Sequence, residues 1–319
     1  MIIPFGIISF FILYNILAIF YTKPKNILFL NKKHIFMTEK SDFITLPASF
    51  ENYKWYKPIL VIIATIVMFA IFSGILIAVF SSVYGWNFIL SMTHGYEVMN
   101  TEMGQIFTDL GVIILIPSLY IATKIVKDRP FSSYSSSRGG WNYKLYFKAM
   151  IIPIIIYIIF EAISLIVNGA KGTNHFSLLF LFICIVLVPL QCIAEEYIFR
   201  GLIMQSFGSW FKNPILVLVI QAIIFAAAHG YNSLGIFEVF VSGLVMGFFA
   251  WKTNGLEVGA ALHTVNNMIV ALTVMFGLEM TSSTAKLNDV ILAIVLEIIL
   301  FAVMYYVGQK TNWFGEIEN

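Results

Sequence analysis

Residues 59–84 read ILVIIATIVMFAIFSGILIAVFSSVY, a run of 26 with no charged side chain and no proline. Crossing the hydrocarbon layer of a bilayer takes about 20 apolar residues in a helix, so this run is long enough to span one. The rest of the chain has the same character. Of its 319 residues, 60% are hydrophobic and only 11% are charged, and the mean hydropathy is strongly positive. Soluble domains carry roughly a quarter charged residues; a chain this apolar could not cover itself with polar surface in water. The expected fold is all-α, a polytopic membrane helix bundle of about 8–9 transmembrane helices.

Candidate spans fall at 2–21, 59–84, 106–125, 149–167, 176–194, 214–228, 235–251, 258–276 and 290–307. The first has no basic flank before it and no small-residue cleavage site, which argues for a retained helix over a removable signal peptide. Lysine and arginine set the orientation. Residues 22–57 hold seven lysines (Lys23, Lys25, Lys32, Lys33, Lys40, Lys54 and Lys57), and 122–148 hold Lys124, Lys127, Arg129, Arg138, Lys144 and Lys148. The stretch 85–105 between them has neither residue. Both basic loops are therefore expected on the cytoplasmic side, with the N-terminus outside, Arg200 near the inner face and the C-terminus inside. A net charge of +2, with no basic stripe interleaved with aromatics, gives no reason to expect a nucleic-acid partner; the partner the composition demands is the bilayer.

Length alone suggests two domains, but no polar insert is long enough to fold separately. The chain reads as one membrane domain in two parts: residues 1–140 with N-terminal helices and basic loops, and residues 141–319 as a second bundle. The stretch FSSYSSSRGG, 131–140, reads as a flexible polar linker between them. Gly243–Gly247 and Gly255–Gly259 have the GxxxG spacing that allows close helix approach in lipid. Cys184 and Cys192 are eight positions apart, about 12 Å along a helix and beyond the reach of a disulfide.

Ionisable residues inside apolar spans are costly and usually functional. Three segments carry them: AEEYIFRG at 194–201, FAAAHG at 225–230 and HTVNN at 263–267. Glu196 and Arg200 stand four apart with the acid first, the favourable orientation for a helical ion pair. That pairing leaves Glu195 without a cation on a neighbouring face, a setting that suits a general base. His263 and Asn267 lie one helical turn apart and share a face. Taken singly, each segment has an ordinary explanation in an interfacial salt bridge or a packed histidine. Together they supply a carboxylate, two imidazoles and a carboxamide, the parts needed to activate water and stabilise an oxyanion. No serine elbow and no HExxH zinc motif is present. Asp109, Glu161, Glu238 and Glu297 lack companion motifs and are expected to pair structurally or to lie at the membrane interface.

The order EExxxR, FxxxH, HxxxN, here Glu195-Glu196…Arg200, Phe225…His229 and His263…Asn267, resembles the CAAX protease and bacteriocin-processing (CPBP, Abi) family of intramembrane endopeptidases, CAAX prenyl protease 2 included. The resemblance covers about 176–276. It implies a peptide bond of a membrane-associated protein or peptide hydrolysed by water that Glu195 activates with help from His229. It further implies Glu196 held by Arg200, and His263 and Asn267 as oxyanion donors. The implied substrates are membrane-embedded or lipidated peptides, and bacterial relatives are linked to bacteriocin immunity, peptide maturation and cell-surface regulation. No cofactor is favoured; zinc is the alternative, since Glu195, His229 and His263 are acceptable ligands. The high Phe, Ile and Lys usage points to an AT-rich bacterial genome and hence to a bacterial plasma membrane. The competing readings are a non-catalytic membrane scaffold or immunity protein, and a bis-histidine haem protein or proton-coupled transporter.

Overall fold

A computed structural model describes residues 42–92, 101–278, 283–312 and 314. The expected span at 2–21, five of the lysines that follow it, His34 and His94 lie outside the described residues. Eight long or apolar helices are present among the described residues: α1 (Lys57–Tyr84), α2 (Glu102–Val126), α3 (Tyr143–Asn168), α4 (Leu178–Phe211), α5 (Pro214–Ala227), α6 (Ser233–Lys252), α7 (Glu257–Met275) and α8 (Leu287–Thr311). All but α5 are long and apolar enough to cross a membrane. The chain is thus an all-α polytopic helix bundle.

The helices start where the sequence offers a cap. Thr101, Asn142, Ser177, Asn213 and Asn232 each turn a side-chain oxygen onto an N–H of the first turn of α2, α3, α4, α5 and α6, satisfying donors that a helix cannot use internally. The outer helices face lipid. Ile63, Val67, Ile71, Ile75 and Val79 on α1, and Ile155, Ile158, Ile159 and Ile166 on α3, are all exposed. Only 11% of the apolar window of α1 is buried, against 56% for α7; α7 is the centre of the bundle, packed against α3, α4 and α6.

Two findings differ from the sequence reading. First, α4 runs 34 residues, well past the expected end at 194. Its last turns are buried by protein: Gly201, Leu202, Met204, Gln205, Ser206, Phe207, Gly208 and Ser209 are all covered. Residues 42–56 pack beneath them, with Tyr53 Oη donating to Ser209 Oγ at 3.1 Å and Trp210 Nε1 to the Trp55 carbonyl at 2.8 Å.

Second, 131–140 is a strap and not a flexible linker. It opens with a 3₁₀ turn, Phe131–Tyr134, and an isolated bridge joins Ser136 to Gly255. Leu256 N donates to the Ser135 carbonyl at 2.8 Å and Ser137 N to the Asn254 carbonyl at 3.1 Å. Arg138 pairs with Glu257 at 2.7 Å. Tyr134 is buried under the Arg129 guanidinium, 3.6 Å from the ring centroid, and donates to Asp128 Oδ2 at 2.7 Å; burial pushes its phenol up from the usual value. Serines read as flexible by composition because their hydroxyls suit irregular backbone, and here that backbone is held by another loop. A Cβ on Gly201 would stand 2.6 Å from the Tyr134 carbonyl oxygen. Gly201→Val is therefore expected to force strap and helix apart and to cost about 1–3 kcal/mol, as overpacking does, readable as a lower melting temperature in detergent.

The glycine spacings do bring helices together. A Cβ on Gly243 would meet Ala222 and Phe225 of α5 at 3.2 Å, and one on Gly259 would meet the Met246 carbonyl at 2.9 Å. Both cysteines are free and buried.

Candidate active site

Pro189 has no N–H to give to the preceding turn, and α4 widens into a π-helical turn, Ile183–Leu187, just ahead of it. A second wide stretch, Tyr197–Met204, follows the two glutamates. Wide turns of this kind concentrate at functional sites. Between them lies a regular segment in which Gln191 and Glu195 share a face one turn apart.

The two adjacent glutamates reach opposite edges of one imidazole. Glu196 Oε1 lies 2.9 Å from His263 Nδ1, and Glu195 Oε2 lies 3.7 Å from His263 Nε2. Glu196 Oε1 also accepts from Arg200 Nη1 at 2.8 Å, while Arg200 Nη2 donates to the Gly243 carbonyl at 3.2 Å. That carbonyl accepts from Gln221 Nε2 as well, at 2.7 Å. Arg200 and Glu196 are fully buried, and His263 and Glu195 nearly so. A carboxylate can only accept, so Glu196 fixes the His263 proton on Nδ1 and leaves Nε2 facing Glu195 Oε2 and Asn267 Nδ2, the latter 3.4 Å away. With His263 protonated, the set of Arg200, Glu196, His263 and Glu195 is neutral overall, which burial in apolar surroundings favours.

Phe225 of the FxxxH segment is the platform on which these groups sit. The Arg200 guanidinium lies 4.2 Å from its ring centroid, the His229 ring 4.8 Å and the His263 ring 5.9 Å. His229 follows the end of α5, where its Nδ1 donates to the Phe225 carbonyl at 2.8 Å. That bond leaves Nε2 as the unprotonated atom of the neutral ring. The sequence reading pairs Glu195 with His229; in the structure the histidine within 4 Å of Glu195 is His263, at 3.7 Å.

The depth of His229 relative to Arg200 follows from the α4–α5 hairpin. Arg200 stands 11 residues before Phe211 and Phe225 stands 11 residues after Pro214, so both rise about 16 Å from the turn. The 14 residues of α5 measure only about 21 Å, short of a full crossing, so His229 lies level with the site.

Sequence reasoning missed Gln191, whose Nε2 donates to Glu195 Oε1 and whose Oε1 lies 3.5 Å from Asn267 Nδ2. It also missed Asn266, which donates to Asn267 Oδ1 at 2.9 Å. The available signal was an uncharged carboxamide one turn before Glu195, in an otherwise apolar run, and a second asparagine beside Asn267. Among the described residues no group of three or more His, Cys, Asp or Glu side chains that could hold a metal ion is found. Asp109 accepts from Gln105 Nε2 at 2.8 Å within α2, the structural pairing expected of it.

Fold and site together define a membrane-spanning helical protein that buries a carboxylate–imidazole–carboxamide cluster on α4, α5 and α7. Residues 176–269, which contain all of that cluster, match the family model described as Type II CAAX prenyl endopeptidase Rce1-like, in agreement with the resemblance read from the three motifs. Among curated proteins the chain is similar to the uncharacterized protein YyaK of Bacillus subtilis (strain 168), 25% identical over 173 residues. The match covers 50% of this chain and 58% of that protein. No solved structure matches.

Proposed function

We propose that the chain is an intramembrane endopeptidase that hydrolyses a peptide bond of a membrane-associated protein or peptide by water activated at Glu195. The observation that carries this is the convergence of Glu195 Oε2, His263 Nε2 and Asn267 Nδ2 on one space, with Glu196 and Arg200 locking His263 from behind. Glu195 Oε2 takes a proton from water as the hydroxide adds to the scissile carbonyl carbon. The charge that develops on the carbonyl oxygen is met by Asn267 Nδ2–H and by Nε2–H of protonated His263, two donors set before the reaction begins. Collapse breaks the C–N bond, and the leaving amine receives the proton from Glu195. His229, with Nδ1 held by its own helix, presents Nε2 to assist proton movement. Glu196 and Arg200 position His263 and take no part in bond making.

The reading is metal-free, and the proposed setting is a bacterial plasma membrane. The Rce1-like match supports a prenylated or otherwise membrane-held peptide as the substrate class, and processing of bacteriocins or surface proteins is the proposed setting for such cleavage. The test uses the chain in lipid vesicles with a quenched fluorescent peptide, offered with and without a lipid anchor. Wild type is expected to cleave the anchored peptide, to keep doing so with 1,10-phenanthroline present, and to lose about a hundredfold or more in rate in His229→Ala, the scale of one acid–base group. Undiminished cleavage by that variant, or none by wild type, contradicts the proposal.

A further inference from the structure

The carboxamides around Glu195 stand in single file. Glu195 Oε1 accepts from Gln191 Nε2. An amide that donates with its nitrogen turns its oxygen the other way, and Gln191 Oε1 faces Asn267 Nδ2 at 3.5 Å. Asn267 Oδ1 in turn accepts from Asn266 Nδ2 at 2.9 Å, and Asn266 Oδ1 accepts from Tyr157 Oη at 2.7 Å. Four donations run in one direction from α3 through α7 to α4, starting at a buried phenol and ending at a carboxylate.

The direction is fixed by the two ends. An ionised carboxylate is acceptor-only, whereas a phenol can donate. Turning one amide over in isolation sets N–H against N–H and oxygen against oxygen; turning the whole file over sets Gln191 oxygen against Glu195 oxygen. Donor chains of uniform polarity also strengthen one another.

We infer that Tyr157, Asn266 and Gln191 are positioning residues that, through this file, hold the N–H face of Asn267 toward the site and tie down Glu195 Oε1, leaving Oε2 as the proton-accepting atom. Oε2 is buried and accepts no hydrogen bond among the described residues. The inference rests on the endopeptidase reading for what the file is for, while the file itself is a property of the resting protein. It assigns work to Tyr157, a residue of α3 outside all three motifs and 6% exposed.

Two measurements test it, one of them independent of cleavage. In protein carrying ¹⁵N-glutamine, the Gln191 side-chain NH₂ resonances are expected to shift in Tyr157→Phe, which removes one hydroxyl three residues upstream in the file. Unmoved Gln191 resonances overturn the file whether or not the chain cleaves anything. On a cleavable peptide, Tyr157→Phe and Gln191→Leu are each expected to lower kcat about fivefold to tenfold with KM unchanged, the effect of losing about one hydrogen bond. The double variant is expected to match the worse single variant, since either break interrupts the same file. Multiplying losses, or a change confined to KM, overturn the positioning role. If one variant fails to melt cooperatively, Asn266→Ala replaces it in the cycle with the same expectation. A shifted resonance in a wild type that cleaves no peptide leaves the file standing and counts against the endopeptidase reading instead.

Discussion

Glu195→Gln is expected to abolish cleavage while leaving the bundle intact. The substitution keeps the shape of the side chain and an oxygen for Gln191 to donate to, but removes the lone pair that takes the proton from water. Losing a general base costs about a hundredfold to ten-thousandfold in rate, and the neighbouring carboxylate is not placed to substitute. Glu196 is adjacent in sequence, yet its Oε1 is engaged by Arg200 at 2.8 Å and His263 at 2.9 Å, on the far edge of the imidazole. The variant is expected to keep a cooperative melting transition in detergent, because the substitution preserves the side chain's shape and the hydrogen bond it accepts from Gln191. A folded Glu195→Gln protein with wild-type turnover contradicts the assignment of the base.

Arg200→Met is expected to have the largest effect on stability. It leaves the fully buried Glu196 carboxylate without its cation and the Gly243 carbonyl without one of its two donors. Removing one partner of a buried ion pair costs about 3–5 kcal/mol, enough to lower the unfolding midpoint markedly. Arg200→Lys is not expected to rescue it, because one ammonium cannot reach both Glu196 and Gly243 as the guanidinium fork does. Arg200→Met combined with Glu196→Gln is expected to recover much of the lost stability and none of the activity, since His263 then lacks the carboxylate that fixes its proton. Equal unfolding midpoints for wild type and Arg200→Met contradict this account of the pair.

Most of the helices could be read from the sequence because lipid-facing helices need only length and apolarity, and both are visible as runs. The true length of α4 was not. Glu195, Glu196 and Arg200 interrupt its apolar run, and a hydropathy reading ends the span there, although their charges are met inside the protein. The hairpin spacing that levels Arg200 with Phe225 was present in the numbering, but it has meaning only once α4 is known to continue to Phe211. The Glu196–Arg200 pair and the shared face of His263 and Asn267 were legible because both obey helical spacing. The contacts of His263 with both glutamates, and the file through Gln191 and Asn266, cross between helices that sequence spacing does not relate. Tyr157 gave no signal at all, since a tyrosine on an apolar helix is ordinary until its hydroxyl is seen to donate.

The most direct test of the central claim is a comparison of new carboxyl termini in the membrane proteome of cells carrying either the wild-type chain or Glu195→Gln at equal abundance. The account predicts a small set of membrane-associated proteins or peptides with termini that appear only with the wild type. Identical termini in the two membranes, with both proteins folded and inserted, contradict it.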